Sequence, residues 1–175
     1  PFRGLRISPT ITVDPEDAKD HDDAVSLQKT SDGHWRLDVH IADVPAFVTP
    51  GSAVDQEALH RGNSVYLVDR AIPMLPHYLT SDICSLVPDQ DWLSHTVRMV
   101  FDSSGRMLHS KTFPSVIRSA ARLTYDQVQA FLDRGVEGNM SAPVRAALKE
   151  MNVLGAKLRQ LRMDSGSIDL TMAET

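Results

Sequence analysis

Six carboxylates stand within ten residues near the start of the chain, and no other cluster in the sequence is as well suited to chemistry. They are Asp14, Glu16, Asp17, Asp20, Asp22 and Asp23. Like charges this close raise one another's pKa and destabilise a folded loop. A divalent cation would remove that cost, and oxygen ligands favour Mg²⁺, Mn²⁺ or Ca²⁺ over Zn²⁺. The spacing therefore predicts a metal site formed by Asp14, Asp20, Asp22 and Asp23.

This acidic window, residues 14–23, has other interpretations. An EF-hand is excluded, because Lys19 stands at the sixth position, which requires Gly, and Val25 at the twelfth, which requires Glu. A solvated acidic loop stays open, since most acidic runs are solvated surfaces. The β-branched strand Thr10–Val13 before the window and the apolar segment Ala24–Leu27 after it favour a held loop. Metal binding is thereby favoured over a solvated loop.

Three further residues have an ordinary structural interpretation. The seven histidines form no metal-binding pair. His40 is predicted on the polar face of a hairpin, so we expect it to lie at the surface or to support a site from behind its ligands. Cys84 lies in an apolar run and is expected to be a buried, unreactive thiol. For Tyr66, composition alone favours a core aromatic.

A basic stretch follows later in the chain. There is no acidic residue between Ser103 and Tyr125, while Arg106, Lys111, Arg118 and Arg122 are cationic. These side chains could follow a phosphate backbone, or they could be the outer face of a hairpin. The sequence does not favour either interpretation.

The composition limits the class of protein. The chain has 175 residues, of which 42% are hydrophobic and 23% charged, with a formal net charge of −5. These values are typical of one globular domain and argue against a protein that is basic all over. One cysteine allows neither a disulfide framework nor a thiolate zinc site. With no apolar run of about 20 residues and no signal peptide, we expect a cytoplasmic protein without a membrane partner.

The elements that must position the window alternate between hairpins and helices. Segments 24–27 and 34–42 read as a hairpin, with Trp35, Leu37, Val39 and Ile41 on its buried face. A second hairpin is predicted over 96–110, and a short strand over 64–68. Helices are predicted over 53–61, from Thr124 to near Gly135, and from Ser141 towards Arg162. The fold class is α+β, a mixed β-sheet with hairpins and flanking helices.

The end of the chain alternates again, with Ile168, Leu170 and Met172 on one side. This pattern predicts a strand that would continue into a partner. We therefore expect residues 1–122 to be mainly β, residues 123–163 to be helical, and residues 164–175 to be a strand cut short within a larger domain.

The order of motifs resembles the RNB catalytic domain of the ribonuclease II and ribonuclease R family. The segment Thr12–Ala24 resembles its acidic signature, and further motifs follow at similar spacing along nearly the whole chain. They include Val39–Val44, Arg61–Leu67, Ile72–Pro76, Ile83–Leu86, Ile117–Ser119 and Leu123–Tyr125.

The resemblance implies a Mg²⁺-dependent hydrolytic exoribonuclease that degrades single-stranded RNA from its 3′ end to nucleoside 5′-monophosphates. One or two Mg²⁺ ions are implied, and Mn²⁺ could substitute. Asp14, Asp20 and Asp23 match residues that mainly hold metal, whereas Asp22 matches the most directly catalytic one. Tyr66 matches the tyrosine that stacks on the 3′-terminal base. The oligomeric state is not implied.

This sequence departs from the family pattern in three places. His21 stands where the family usually has an aromatic residue, commonly Phe, and Trp92 where it often has Arg. The resemblance also covers roughly the first half of the catalytic domain, and a later Ser-Pro-Ile-Arg motif and flanking OB-fold modules are not among these 175 residues. We therefore expect the 175 residues alone to be inactive. The alternative is a non-catalytic RNB-derived piece that binds metal or RNA.

Overall fold

A computed structural model describes residues 3–18 and 20–168 of the chain. Its strands are β1 (Arg3–Asp14), β2 (Asp23–Lys29), β3 (Trp35–Ala42), β4 (Val65–Tyr66), β5 (Ala71–Ile72), β6 (Asp91–Phe101) and β7 (Met107–Thr124). Its α-helices are α1 (Ala53–Arg61), α2 (Tyr125–Arg134) and α3 (Ala142–Asp164). Short turns of 3₁₀-helix and π-helix lie at Val44–Ala46 and Leu79–Ile83. The predicted α+β class is confirmed.

Five of the strands close into a barrel in the order β1-β2-β3-β6-β7. Neighbouring strands are antiparallel except where β7 returns beside β1, which is a parallel pair. In that pair Val13 lies opposite Leu123 and Asp14 opposite Thr124. Because sheet neighbours lie about 4.8 Å apart, closure brings the acidic window next to the basic end of β7.

The helices α2 and α3 pack on the outside of the barrel. Buried side chains of the two helices, Phe131, Val144 and Leu148, contact Ile11 and Leu123 of the strands. Farther along α3, Leu154 packs with a second cluster formed by Leu27, Trp35 and Phe101. Burying each such side chain contributes about 1.5–3 kcal/mol, so these contacts fix the helices against β1, β2 and β3.

The helix boundaries follow the capping residues. Ser52 accepts a hydrogen bond from the backbone of Asp55 at the start of α1, and Gly62 ends that helix with a φ of 76°. At the start of α2, Thr124 and Gln127 form a reciprocal capping box. Gly135 ends α2 in the left-handed region. These predicted helices are confirmed.

The interior of the barrel is polar, and this corrects the expectation for β3. His40 is 0% exposed, and Asp38 and Ala42 are also buried, whereas Ile41 is 44% exposed. A strand in a closed barrel buries its inward face whatever its polarity, provided that its polar groups find partners. His40 bonds Ser26 and Thr96, at 3.1 and 2.7 Å, so the prediction of a surface histidine is wrong.

An ion pair occupies the same interior. Two side-chain nitrogens of Arg98 donate to the two carboxylate oxygens of Asp38, at 2.7 and 2.6 Å. This fork-to-fork arrangement joins β3 to β6 and compensates a carboxylate that is almost completely buried. The pKa of Arg98 is raised, chiefly by its hydrogen bond to Asp38.

The strand predicted over 164–175 stays a prediction. Helix α3 ends at Asp164, residues 165–168 form a turn and a short connection, and the rest of the predicted strand lies outside the described residues. The proposed division of the chain at residues 122 and 163 likewise stays a prediction. Among the described residues, no helix combines the length and the hydropathy needed to span a membrane.

Candidate active site

The acidic window is a loop that starts at the end of β1 and ends at the start of β2, and its backbone is anchored. The amide of Ala42 in β3 donates to the carbonyl of Asp22 at 2.8 Å. A side-chain nitrogen of Arg122, in β7, donates to the carbonyls of Glu16 and Ala18 at 3.3 and 3.1 Å. These contacts favour a held loop over a freely solvated one.

A third anchor lies at His21, in the middle of the window. Its amide donates to Ser85 Oγ at 3.2 Å, and its carbonyl accepts from the amide of Leu86 at 2.7 Å. Its ring nitrogen Nδ1 lies 2.8 Å from Asp14 Oδ2. Since Ser85 and Leu86 are both fully buried, this side of the loop is fixed to the core of the domain.

The loop forms one wall of a cleft of about 850 Å³. The window residues that line it include Asp14, Asp20 and Asp22. The strands β4 and β5 and the segment between them form another wall, to which Tyr66 belongs. Tyr66 is 72% exposed, so the prediction from composition that it is a core aromatic is wrong. The cleft thus combines clustered carboxylates with an accessible aromatic ring.

The electrostatics of the loop favour a bound cation. Partial burial raises the pKa of the Asp23 carboxyl, and the nearby charges of Asp22 and Asp14 raise it further. Such repulsion is what a divalent ion relieves, and carboxylate oxygens suit Mg²⁺. The donor chemistry therefore fits this metal. Across residues 3–18 and 20–168, however, no three acidic, histidine or cysteine side chains are arranged so that they could hold one metal ion. The four-aspartate ligand set therefore stays a prediction.

The basic stretch is partly used within the protein. Arg118 forms an ion pair with Asp91 at 2.9 Å, and Arg122 is bound to the loop carbonyls. Lys111 lies 5.8 Å from the centre of the Phe113 ring. These contacts favour the interpretation of a structural hairpin face over that of a phosphate track.

Cys84 behaves as the sequence predicts. Its side chain is buried, and burial raises the pKa of the thiol, with a further contribution from the charge of Asp43. A thiol that stays protonated is a poor nucleophile and a poor metal ligand. Cys84 is therefore a packing residue, in a cluster with Ala24, Ala42, Leu86 and Ile117.

Sequence reasoning missed the residues that hold the loop. In the sequence Arg122 is one cation among several, and no pattern predicts the bond between His21 and Asp14. His21 did carry a signal, since it replaces the usual aromatic residue within the acidic signature. The contacts of Arg122 have no signal in the sequence, because they join residues more than 100 positions apart.

Comparison with known proteins supports one family. The sequence matches the family described as the RNB domain over residues 2–175. Ribonuclease R of Thermotoga maritima is 43% identical over 166 residues, which cover 95% of this chain and 23% of that protein. Mycoplasma genitalium RNase R, solved in complex with ribose-methylated single-stranded RNA, gives a TM-score of 0.93 at 35% identity. That match covers 99% of this chain and 27% of the other.

A more distant structure shares the fold alone. Yeast Ssd1, described as a pseudonuclease, gives a TM-score of 0.80 at 19% identity, covering 98% of this chain and 21% of Ssd1. The chain spans about a quarter of the length of the relatives that it matches.

Proposed function

The chain belongs to the RNB domain family, and on that premise we propose that it is part of a ribonuclease R-type enzyme. The proposed reaction is Mg²⁺-dependent hydrolysis of single-stranded RNA from its 3′ end to nucleoside 5′-monophosphates. One observation carries the proposal. Asp14, Asp20 and Asp22 line the same cleft as the exposed ring of Tyr66, so a phosphodiester and its terminal base can be bound side by side.

The four aspartates have separate roles in this proposal. Asp14, Asp20 and Asp23 would mainly hold one or two Mg²⁺ ions, for which Mn²⁺ could substitute. When bound, Mg²⁺ supplies a lowered pKa for the attacking water and neutralises charge on the leaving 3′ oxygen. Asp22 would have the most direct catalytic role: it would help to hold metal and would orient the terminal nucleotide.

Tyr66 would bind the base at the 3′ end. An exposed aromatic ring stacks on any base, because every base has a π-face. Such stacking holds RNA without regard to sequence, as a degradative enzyme requires. Support comes from the exposure of the ring and from its place in the same cleft as the acidic loop. The relative from Mycoplasma genitalium was solved with single-stranded RNA, and we propose the same class of partner here.

The second candidate function is binding of RNA or metal without turnover. The fold is compatible with it, because the described pseudonuclease Ssd1 shares the architecture. The presence of all four aspartates favours the enzyme, since a protein that only binds RNA has no chemical need for that set. We also propose a cytoplasmic location, for which a buried free thiol at Cys84 is suitable.

Trimming of labelled single-stranded RNA by the whole protein tests the proposal. With Mg²⁺ we expect stepwise shortening from the 3′ end, abolished by Asp22→Asn. Glu16→Gln is the matched control, because it removes one charge from the same loop at a side chain with no proposed role. RNA that is bound but never shortened would favour the second candidate. Equal loss in both variants would show that loop charge alone matters.

Metal binding is tested separately by titration calorimetry with Mg²⁺. Asp23→Asn should weaken binding sharply, because it removes a proposed ligand, whereas Glu16→Gln should change it little. Equal binding by wild type and Asp23→Asn would remove Asp23 from the ligand set.

A further inference from the structure

His21 is the least expected residue of the acidic window. It lies between two proposed metal-site aspartates, yet its side chain is only 3% exposed. Where the resemblance implies an aromatic hydrocarbon ring, this chain has an imidazole with two nitrogens. A buried polar group of this kind is expected to have a hydrogen-bond partner.

Its partner is the carboxylate of Asp14. Nδ1 of His21 lies 2.8 Å from Oδ2 of Asp14, and the Asp14 side chain is 11% exposed. An ionised carboxylate only accepts hydrogen bonds, so Nδ1 carries the proton and donates it. The bond uses one acceptor site of the carboxylate and leaves others that can bind a cation.

The donor itself is held in place from outside the loop. Both the amide and the carbonyl of His21 are bonded, to Ser85 Oγ and to the amide of Leu86. Ser85 and Leu86 are each 0% exposed. The imidazole therefore projects from a backbone that is fixed to the barrel, and it can impose an orientation on a neighbouring side chain.

Asp14 is the residue that benefits from such a constraint. It is the last residue of β1, paired with Thr124 of β7, so its backbone is fixed by the sheet. Its carboxylate can still rotate about the side-chain bonds. Repulsion from Asp23 would turn it away from the other carboxylates unless a donor opposes that rotation.

We infer that His21 is a positioning residue, which holds the Asp14 carboxylate in the orientation that binds a divalent cation. The inference rests on the proposed function, because it takes Asp14 as a metal ligand. Hydrogen bonds to metal-binding side chains commonly orient them, and losing one typically costs about 10–100-fold in metal affinity. The rival interpretation is that the imidazole only fills space, as an aromatic ring would.

Two substitutions separate the donor from the ring. His21→Phe keeps the ring and removes the donor, whereas His21→Asn keeps an N–H near the position of Nδ1 and removes the ring. Mn²⁺ binding can be followed by electron paramagnetic resonance as loss of the free-ion signal, with a thermal melt for each variant. Asp14→Asn is the control for the ligand itself.

We expect His21→Phe to weaken Mn²⁺ binding by about 10–100-fold. His21→Asn should bind Mn²⁺ close to wild type, although the loss of the ring lowers its melting temperature. Affinity then follows the donor, which ring packing would not produce. Wild-type affinity in His21→Phe, or equal losses in both variants, would overturn the inference.

The Asp14→Asn control keeps this failure distinct from that of the proposed function. If Asp14→Asn loses Mn²⁺ and His21→Phe does not, only the role of His21 is overturned. If Asp14→Asn binds Mn²⁺ normally, Asp14 is not a ligand, and the metal site fails together with the inference.

Discussion

At the scale of single residues, the structure assigns Tyr66 and His40 to environments opposite to those that their residue types favour. The aromatic ring of Tyr66 is largely exposed at the cleft, and the imidazole of His40 is completely buried in the barrel. Burial separates their roles, because an accessible ring can bind a ligand, whereas a buried imidazole contributes to folding. Each role leads to a measurement.

Replacing Tyr66 with Ala in the whole protein should weaken RNA binding by about 1–3 kcal/mol, the value of one base–aromatic stack. The melting temperature should hardly change, because a surface substitution typically alters stability by less than about 0.5 kcal/mol. Fluorescence anisotropy with labelled single-stranded RNA measures the loss, and Tyr66→Phe should retain binding. A large fall in melting temperature with unchanged RNA affinity would make Tyr66 a structural residue.

His40 should make stability depend on pH. The pKa of its imidazole is lowered to about 4, against 6.5 in the unfolded chain. Burial is the main cause; the charge of Asp38 opposes the shift, and that of Arg98 adds to it. The unfolded chain therefore takes up a proton first as pH falls. Stability from this group is complete above pH 6.5 and is lost between about pH 6.5 and 4, by about 3 kcal/mol at most.

Urea unfolding between pH 7 and 4 measures this dependence. His40→Gln should be less stable at pH 7, because one buried hydrogen bond is lost, but its stability should vary less over that range. If the free energy of unfolding of His40→Gln varies with pH as steeply as that of the wild type, the pH dependence comes from other groups.

At the scale of elements, the acidic loop depends on three anchors that come from separate parts of the chain. They are β3 through Ala42, β7 through Arg122, and the segment of Ser85 and Leu86. Short loops with fixed backbones orient their side chains, and preorganised ligands bind metal more tightly than mobile ones. The anchors should therefore influence metal affinity without contacting the metal.

Arg122→Ala should reduce Mg²⁺ affinity by about two- to twelvefold, because the loop loses two hydrogen bonds and only part of their free energy, about 0.5–1.5 kcal/mol, acts on metal binding. Arg118→Ala is the matched control, because Arg118 lies on the same strand and pairs with Asp91 rather than with the loop. Titration calorimetry of both variants checks the difference. Equal affinities would show that the loop keeps its shape without Arg122.

At the scale of the whole molecule, the barrel determines where the site lies. The parallel pairing of β1 with β7 brings Asp14 next to Thr124 and allows Arg122 to contact the loop. The chain spans 23% of the length of its Thermotoga maritima relative.

We expect these 175 residues alone to shorten RNA far more slowly than the whole protein. The Ser-Pro-Ile-Arg motif that the resemblance implies is not among them, and its arginine would stabilise charge in the transition state. Loss of one such preorganised group typically lowers the rate by about 10²–10³-fold. Among the residues that the structure describes, two arginines near the cleft are already engaged, Arg122 by loop carbonyls and Arg70 by Asp69 at 3.2 Å. A time course with labelled single-stranded RNA and Mg²⁺ compares the two proteins. Near-equal rates, abolished by Asp22→Asn, would show that these residues are self-sufficient.

The sequence by itself determined the features that depend on neighbouring residues. Caps and apolar spacing placed α1 at residues 53–61 and predicted α2 and α3 from Thr124 and Ser141. The acidic window and its flanking strands were also readable, because a run of like charge needs compensation wherever it lies. The order of motifs identified the family, which the match over residues 2–175 confirms.

Only the tertiary structure decided which polar residues are buried and what holds the loop. The alternation along β3 indicates two faces, but the closed barrel decides that His40 points inward and that Ile41 is exposed. The bonds of His21 to Ser85 and of Arg122 to Glu16 join residues 64 and 106 positions apart. Local patterns carry no information about such pairs, because they form only when distant parts of the chain pack together. For Arg122 and Glu16 that packing is the parallel contact of β1 with β7.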